Sequence, residues 1–231
     1  MDLSSIIFFV SSKILLRSTK GLTRLSAFER ETIKLPDETK EVLIGILLGD
    51  AHIVRRSPTG NSRLVYSQTA IKHKNYFDYV FSYFNSYCAK DYRPQSRLVV
   101  DNSTKKTYSA ISFTTMQLSC FNEFRELFYN SNKKIVPENI DVLLTSRGLA
   151  FWIMDDGSRQ GSGLHISVYG FSNTDVDKLM FTLQMKFNLI CSIHYNKDRK
   201  PRIYIFKESM DTLITLVKPY FIKDMLYKLG L

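Results

Sequence analysis

Residues 43–53 read LIGILLGDAHI and residues 149–159 read LAFWIMDDGSR. Each is an apolar run that stops on acid: Asp50 in the first, Asp155 and Asp156 in the second. An Asp-Asp-Gly after an apolar run is, taken alone, the mark of a turn. Two such endings in one chain ask for a shared cause, and the surrounding sequence supplies one.

The chain is written twice. After the first run come a polar, Arg-rich segment and the alternating stretch SRLVYSQTAI (62–71). Aromatics then recur at helical spacing in KNYFDYVFSYFNSYC (74–88). SRLVVDNSTKKTYSAISFTTM (96–116) reads as two strands about a polar turn, and SCFNEFRELFYNSNKKIVPENI (119–140) as a helix capped by Ser119 and broken near Pro137. After the second run the order returns. GLHISVYGF (163–171) is strand-like, and the stretch from Asn173 is a helix capped by Asn173 or Thr174. CSIHYNKDRKPRIYIFKES (191–209) is a hairpin turning at NKDRKP, and a last helix breaks near Pro219. Each half therefore reads helix, two strands, helix, two strands, helix, with Asp50 and Asp156 at the same place, 106 residues apart. No Pro/Gly/Ser-rich linker separates them. The expected division is an extension over 1–38, a first half over 39–140 and a second over 141–231.

If residues 41–50 are helical, Gly45 and Gly49 share a face, and small residues at that spacing admit a second helix backbone. The equivalent helix, 148–156, offers Ala150 as its small surface. Pairing the two helices brings Asp50 and Asp156 together at one end. Two carboxylates at helix C-termini repel each other and oppose the negative end of each dipole, so folding alone does not favour them. A divalent cation does. Mg²⁺ takes hard oxygen ligands, keeps several waters and pairs with phosphate. The carbonyls at the helix ends, Gly49 and Asp155, are further donors. The chemistry implied is metal-dependent phosphodiester hydrolysis.

Composition agrees. The chain has 231 residues and a net charge of +10, which suits a polyanionic partner. Cys88, Cys120 and Cys191 lie far apart, so neither a disulfide framework nor a zinc site is expected. The four histidines show no metal-ligand spacing. No run reaches the roughly 20 apolar residues of a membrane span. The N-terminal LSSIIFFVSSKILL lacks a positive n-region, since Asp2 stands there, and reads as a docked tail or short helix.

LIGILLGDA and LAFWIMDDG resemble the two copies of the LAGLIDADG motif, and the chain from about residue 40 resembles the two-motif, monomeric homing endonucleases encoded in organelle introns, closest to the yeast mitochondrial omega-intron branch. The resemblance implies an α+β fold of two pseudo-symmetric αββαββα repeats, with the motif helices paired at the centre and two antiparallel sheets forming a DNA-straddling saddle. It implies that Asp50 and Asp156 bind Mg²⁺, with Mn²⁺ able to substitute, and that the carbonyls of Gly49 and Asp155 assist. NKKIVP and MLYKL are similar to segments whose lysines, here Lys134 and Lys228, approach the active site, and Gln68 matches a polar residue near the metal-bound water. Two departures stand out. Gly45 is matched by Phe151, so the helix interface is asymmetric, and the counterpart of Gln68 is Tyr169 or a neighbour, so the two half-sites need not be cut at equal rates.

Strands project alternate side chains to one face, and a two-stranded ribbon fits the major groove. Candidate readers are Arg55, Arg56, Arg63, Lys72, Arg97, Lys105 and Lys106 in the first half. In the second they are Arg159, Lys197, Arg199, Lys200 and Arg202. Two unlike halves on one chain predict an asymmetric double-stranded DNA target bound by a monomer. The resemblance adds that the site is long and cut to 3′ overhangs, and that the protein works in a mitochondrion ahead of a chloroplast. The alternative is a maturase that binds its group I intron RNA. A third reading, a repressor that binds DNA without cutting it, sits poorly with two intact carboxylates and two lysines.

Overall fold

The computed structural model describes residues 25–100 and 106–231. Lys105 and most of the 1–38 extension lie outside the described residues. Along the chain run α1 (Ala27–Thr32), α2 (Asp37–Leu48), β1 (His52–Val54), β2 (Arg63–Thr69), α3 (Lys74–Phe84), β3 (Ser96–Val100), β4 (Thr107–Thr114) and α4 (Asn122–Phe128). There follow β5 (Tyr129–Asn130), β6 (Lys133–Lys134), α5 (Ile140–Leu143), α6 (Ser146–Asp156), β7 (Gly157–Gln160), β8 (Gly163–Ser167), α7 (Asn173–Met185), β9 (Cys191–Tyr195), β10 (Pro201–Ile205) and α8 (Met210–Val217). Two four-stranded antiparallel sheets have the same topology, β1-β2-β4-β3 and β7-β8-β10-β9. The αββαββα repeat read from the sequence is the fold.

The chain divides into two compact units. One holds 52–125 and the described residues up to Pro36; the other holds Asp37–Ala51 and Glu126–Leu231. Helix α2 thus packs in the unit built from the second half of the chain.

In the first unit the aromatics of α3 close over the sheet. Phe77 stacks on Tyr66, centroids 6.0 Å apart, and Phe81 and Phe84 flank Phe113 at 5.3 and 6.0 Å. Strand β2 alternates strictly, with Leu64, Tyr66 and Gln68 buried and Arg63, Val65 and Ser67 on the other face. Cys88 and Cys191 are buried free thiols, and Cys120 is a half-buried one.

In the second unit α2 and α6 pack as a pair, and both are almost wholly buried: Val42 to Leu48 on one, Gly148 to Met154 on the other. Burial on all sides explains why neither run shows a polar face. A Cβ on Gly45 would fall inside the Gly148 carbonyl and 2.9 Å from Phe151 Cβ. The small partner of Gly45 is therefore Gly148, one turn before its counterpart Phe151; Ala150 is buried but is not the point of closest approach. The far end of the pair is pinned by Arg147, which bonds Glu38 and Glu41 and lies 4.7 Å over the Tyr220 ring.

Three local readings change. The segment 129–134, expected to continue a helix, folds as the hairpin β5–β6, with Ser131 at φ 56 in its turn. Ser119 Oγ donates to the Arg30 carbonyl, and Leu118 precedes the helical turn. Ser172, one residue before the expected position, caps α7 in a reciprocal box with Asp175.

Gly45→Ala adds helix propensity of about 1 kcal/mol, but the Gly148 backbone cannot yield to the new methyl. The expected net result is a loss of about 1–3 kcal/mol, read as a lower midpoint in urea unfolding; an unchanged midpoint would mean that the helices do not meet there.

Candidate active site

The site grows from the C-terminal ends of α2 and α6. Gly49 follows α2 because the Asp155 side chain lies against it: a Cβ on Gly49 would overlap that carboxylate. The Asp50 N–H donates to Asp155 Oδ2 at 3.1 Å. The first acid of the Asp-Asp pair thus reaches across to the end of the other helix, and the second, Asp156, stands beside Asp50.

Each helix end carries a lysine. Lys134, delivered by the β5–β6 hairpin, donates to the carbonyls of Gly49 (2.9 Å) and Ala51 (2.8 Å). Lys228, from the last helical turns of the chain and only 5% exposed, donates to the carbonyls of Met154 and Asp155, the latter at 3.0 Å. The two lysines occupy carbonyls that α-helix ends leave without an intrahelical donor, and their charge complements the dipole there. The Gly49 and Asp155 carbonyls, expected as metal donors, each accept one ammonium here, which leaves each a second lone pair.

The electrostatics are those of charges held out of water. Burial lifts the Asp156 carboxyl to about 7; Asp50 pushes it the same way, and Lys134 and Lys228 pull it back. Burial brings the Lys134 ammonium down to about 8 against the opposing pull of Asp156, Asp155 and Asp50. Lys228 is lowered by burial too, opposed by the same three aspartates. Asp156 and Lys134, with Leu48, Gly49 and the segment Ser167–Phe171, line a cavity of about 190 Å³.

Among the described residues no group of three or more His, Cys, Asp or Glu side chains forms a metal cage. The donor set fits Mg²⁺ in another way. Two hard carboxylates leave most positions to water and phosphate oxygens, which is how Mg²⁺ is usually held, and a carboxyl lifted to about 7 gains from a cation beside it.

Gln68 lies in the first unit, on the buried face of β2. Its Nε2 donates to Tyr66 Oη at 3.2 Å, and its Oε1 is 3.1 Å from His73 Nδ1. Arg63 and Arg97 share the opposite, outward face of that sheet, since Arg97 pairs with Ala110, which pairs with Thr69 in turn. Arg63 is lowered from its ordinary range by burial and by Arg56. Arg56, Lys72 and Lys106 are exposed, while Arg55 donates to Ser62 at 3.1 Å.

In the second unit Lys197, Arg199 and Lys200 are exposed at the β9–β10 turn. Arg202 lies on the outward face of β10, opposite Ser167 and His194. Arg159 does not join it. Arg159 pairs with Leu164, on the face that carries the core, and bonds the carbonyls of Gly161 (2.9 Å) and Leu229 (3.0 Å). It fastens the segment that presents Lys228.

Two groupings escaped the sequence reading. The Tyr169 hydroxyl accepts from Arg202 Nε. His165 and His194 approach to 3.1 Å, with His194 stacked on Tyr204 at 4.6 Å. Period-two alternation places all but Tyr169 on one face, but the pairing needs the register of β8, β10 and β9.

The model of the LAGLIDADG DNA endonuclease family matches residues 40–213. The cytochrome b mRNA maturase bI2 of Debaryomyces hansenii is 32% identical over 199 residues, 85% of this chain and 75% of that protein. A probable intron-encoded endonuclease of Wickerhamomyces canadensis is 30% identical over 227 residues, 95% of this chain and 91% of that one. The structure of the homing endonuclease I-WcaI bound to its DNA recognition sequence superposes with a TM-score of 0.80 at 28% identity, covering 91% of this chain and 95% of that one.

Two variants probe the site. The folded Asp156 carboxyl takes its proton near 7 and the unfolded one near 3.8, so its contribution to stability is fully present at low pH and is lost as pH rises through that interval. Asp156→Asn should therefore flatten this slope in metal-free buffer and stabilise the fold at pH 8 by at least about 1 kcal/mol, read as a higher melting temperature. Lys228→Met should do the reverse, costing about 1–3 kcal/mol by leaving helix-end carbonyls without their donor.

Proposed function

The chain belongs to the LAGLIDADG DNA endonuclease family, and from that premise we propose that it is a site-specific homing endonuclease, intron-encoded, that cuts both strands of a long asymmetric DNA target by Mg²⁺-dependent hydrolysis and leaves 3′ overhangs. The observation that carries the reading is one arrangement: two buried helices in contact at Gly45 and Gly148, both ending on acid at Asp50 and Asp156, with Lys134 and Lys228 on their last carbonyls. Folding alone does not favour two carboxylates at the negative ends of two helices, and metal-dependent phosphodiester hydrolysis has a use for them.

Asp50 and Asp156 would hold the metal, with Gly49 and Asp155 beside them. Mg²⁺ bound there, with Mn²⁺ as a substitute, would supply an activated water and would neutralise charge on the leaving oxygen. Lys134 and Lys228 keep the carbonyls of both helix ends engaged, so that the carboxylates project forward. A lysine near 8 also sits close to the working pH, where it can exchange a proton with a water in the cavity. Gln68, held by Tyr66 and His73, is oriented to order a water in its half. The outward arginines and the β9–β10 turn, Lys197 to Arg202, read the grooves or bind phosphates. The repeats, 39–140 and 141–231, each contribute one half-site, so a monomer suffices. The compartment is the mitochondrion, in keeping with the yeast cytochrome b relative.

That relative is named a maturase, which favours a second reading: binding and folding of the intron RNA. Tyr108, Tyr195 and Tyr169 are exposed and can stack on unpaired bases.

A plasmid carrying the uninterrupted host gene should be linearised at one site with Mg²⁺ and left intact with Ca²⁺ or EDTA. Asp50→Asn should lose cleavage by at least about a hundredfold and bind the same DNA within about twofold. Full-speed cutting by that variant rejects the mechanism. Wild-type protein that binds without cutting, and accelerates splicing of the intron RNA, makes it a maturase.

A further inference from the structure

The two repeats do not carry equivalent side chains at matching places in their first strand pairs. His52 pairs with Val65 in the first sheet, and Ser158 pairs with His165 in the second; His52 and Ser158 each lie two residues past their Asp. Counting three residues on, Gln68 corresponds to Val168, which is 1% exposed and apolar. The second half therefore has no amide at the place where the first holds Gln68 between Tyr66 and His73. The residues on either side of Val168, Ser167 and Tyr169, line the cavity with Asp156, and they bring hydroxyls where the first half brings an amide.

Tyr169 is 40% exposed, lines that cavity with Asp156 and Lys134, and is anchored from the other side. Its hydroxyl accepts from Arg202 Nε. Ser167 and Asn196 also bond the phenol, and these bonds together with the Arg202 charge hold it below its ordinary range although burial pushes the other way. Two cations lie over the ring, Lys200 Nζ at 5.6 Å and Arg202 Cζ at 5.5 Å from its centroid. All of these partners except Ser167 belong to one hairpin. Asn196 organises its turn, receiving the N–H groups of Asp198 (3.0 Å) and Lys200 (2.8 Å) on its side chain, and Arg199 takes the left-handed φ of 57 that closes it. The hairpin that carries the exposed cations thus reaches the cavity wall by two routes: the backbone pairing of β10 with β8, continued by the Val168 N–H on the Pro201 carbonyl, and the Tyr169 phenol, which engages side chains of the turn itself.

We propose that Tyr169 is a positioning residue for the second half-site: it transmits the placement of the Asn196–Arg202 hairpin on DNA to the scissile phosphodiester beside Asp156. The inference rests on the endonuclease reading. When the hairpin seats correctly, Arg202 keeps the Tyr169 hydroxyl and the ring fixes the cavity wall; when it does not, the wall is loose. In the first half Gln68 is held by neighbours of its own sheet and helix entry, so that half does not depend on a reading element in this way. The two strands should then differ in what limits their cutting, and small misplacements at a phosphodiester are costly in rate.

The test is time-resolved cleavage of a supercoiled plasmid bearing the target, with each strand end-labelled in a parallel duplex. Tyr169→Phe keeps the ring and removes the hydroxyl. The expected result is DNA affinity within about twofold of wild type, measured with Ca²⁺, together with a roughly tenfold slower cut on one strand only, so that nicked circle accumulates before linear product. Arg202→Gln should give the same strand bias with weaker binding, and Tyr169→Phe/Arg202→Gln should be no slower on that strand than the slower single variant. Equal slowing of both strands, or wild-type rates on both from a variant with a wild-type melting temperature, overturns the proposal while leaving the endonuclease standing. A wild-type protein that cuts neither strand overturns both.

Discussion

The contact between Gly45 and Gly148 is the constraint on which the rest depends. Two helix backbones can approach this closely only where neither carries a side chain. Because α2 and α6 are buried on every side, the approach fixes them against each other along their length and sets their C-terminal ends together. The same economy recurs at Gly49, whose missing Cβ leaves room for the Asp155 carboxylate to reach the Asp50 N–H. A bulkier residue at either position would separate the ends and with them the two acids.

What the contact brings together is electrostatically unfavourable. Two helix dipoles end negative at the same place and three aspartates stand there. The structure answers with Lys134 and Lys228, each drawn out of water onto a pair of helix-end carbonyls. The compensation is incomplete, because burial lifts Asp156 toward neutrality while lowering both lysines. The result is a carboxyl that gains from a cation beside it and a lysine, Lys134, brought down to about 8, both held at some cost to the fold. The supports are themselves built for this. A six-residue hairpin delivers Lys134, and Arg159 fastens the terminal segment that delivers Lys228.

The repeat gives both halves one topology without giving them one chemistry. Gln68 is braced within its own sheet and helix entry, whereas its counterpart Val168 is apolar and the neighbouring Tyr169 is braced by the β9–β10 hairpin. A symmetric homodimer could not hold that difference; a single chain carrying two copies can.

The sequence by itself determined the order of elements, the place of Asp50 and Asp156 at the ends of two apolar helices, and the family, because helical and strand periodicity are local and because a repeated motif is visible without coordinates. Only the tertiary structure decided that Gly148 and not Ala150 meets Gly45, that 129–134 is a hairpin, that Arg159 turns away from the face of Arg202, and that lysine ammoniums occupy the Gly49 and Asp155 carbonyls. Each of these depends on where a long side chain or a close backbone contact finds its partner across tens of residues. No window of local sequence records that distance; packing fixes it.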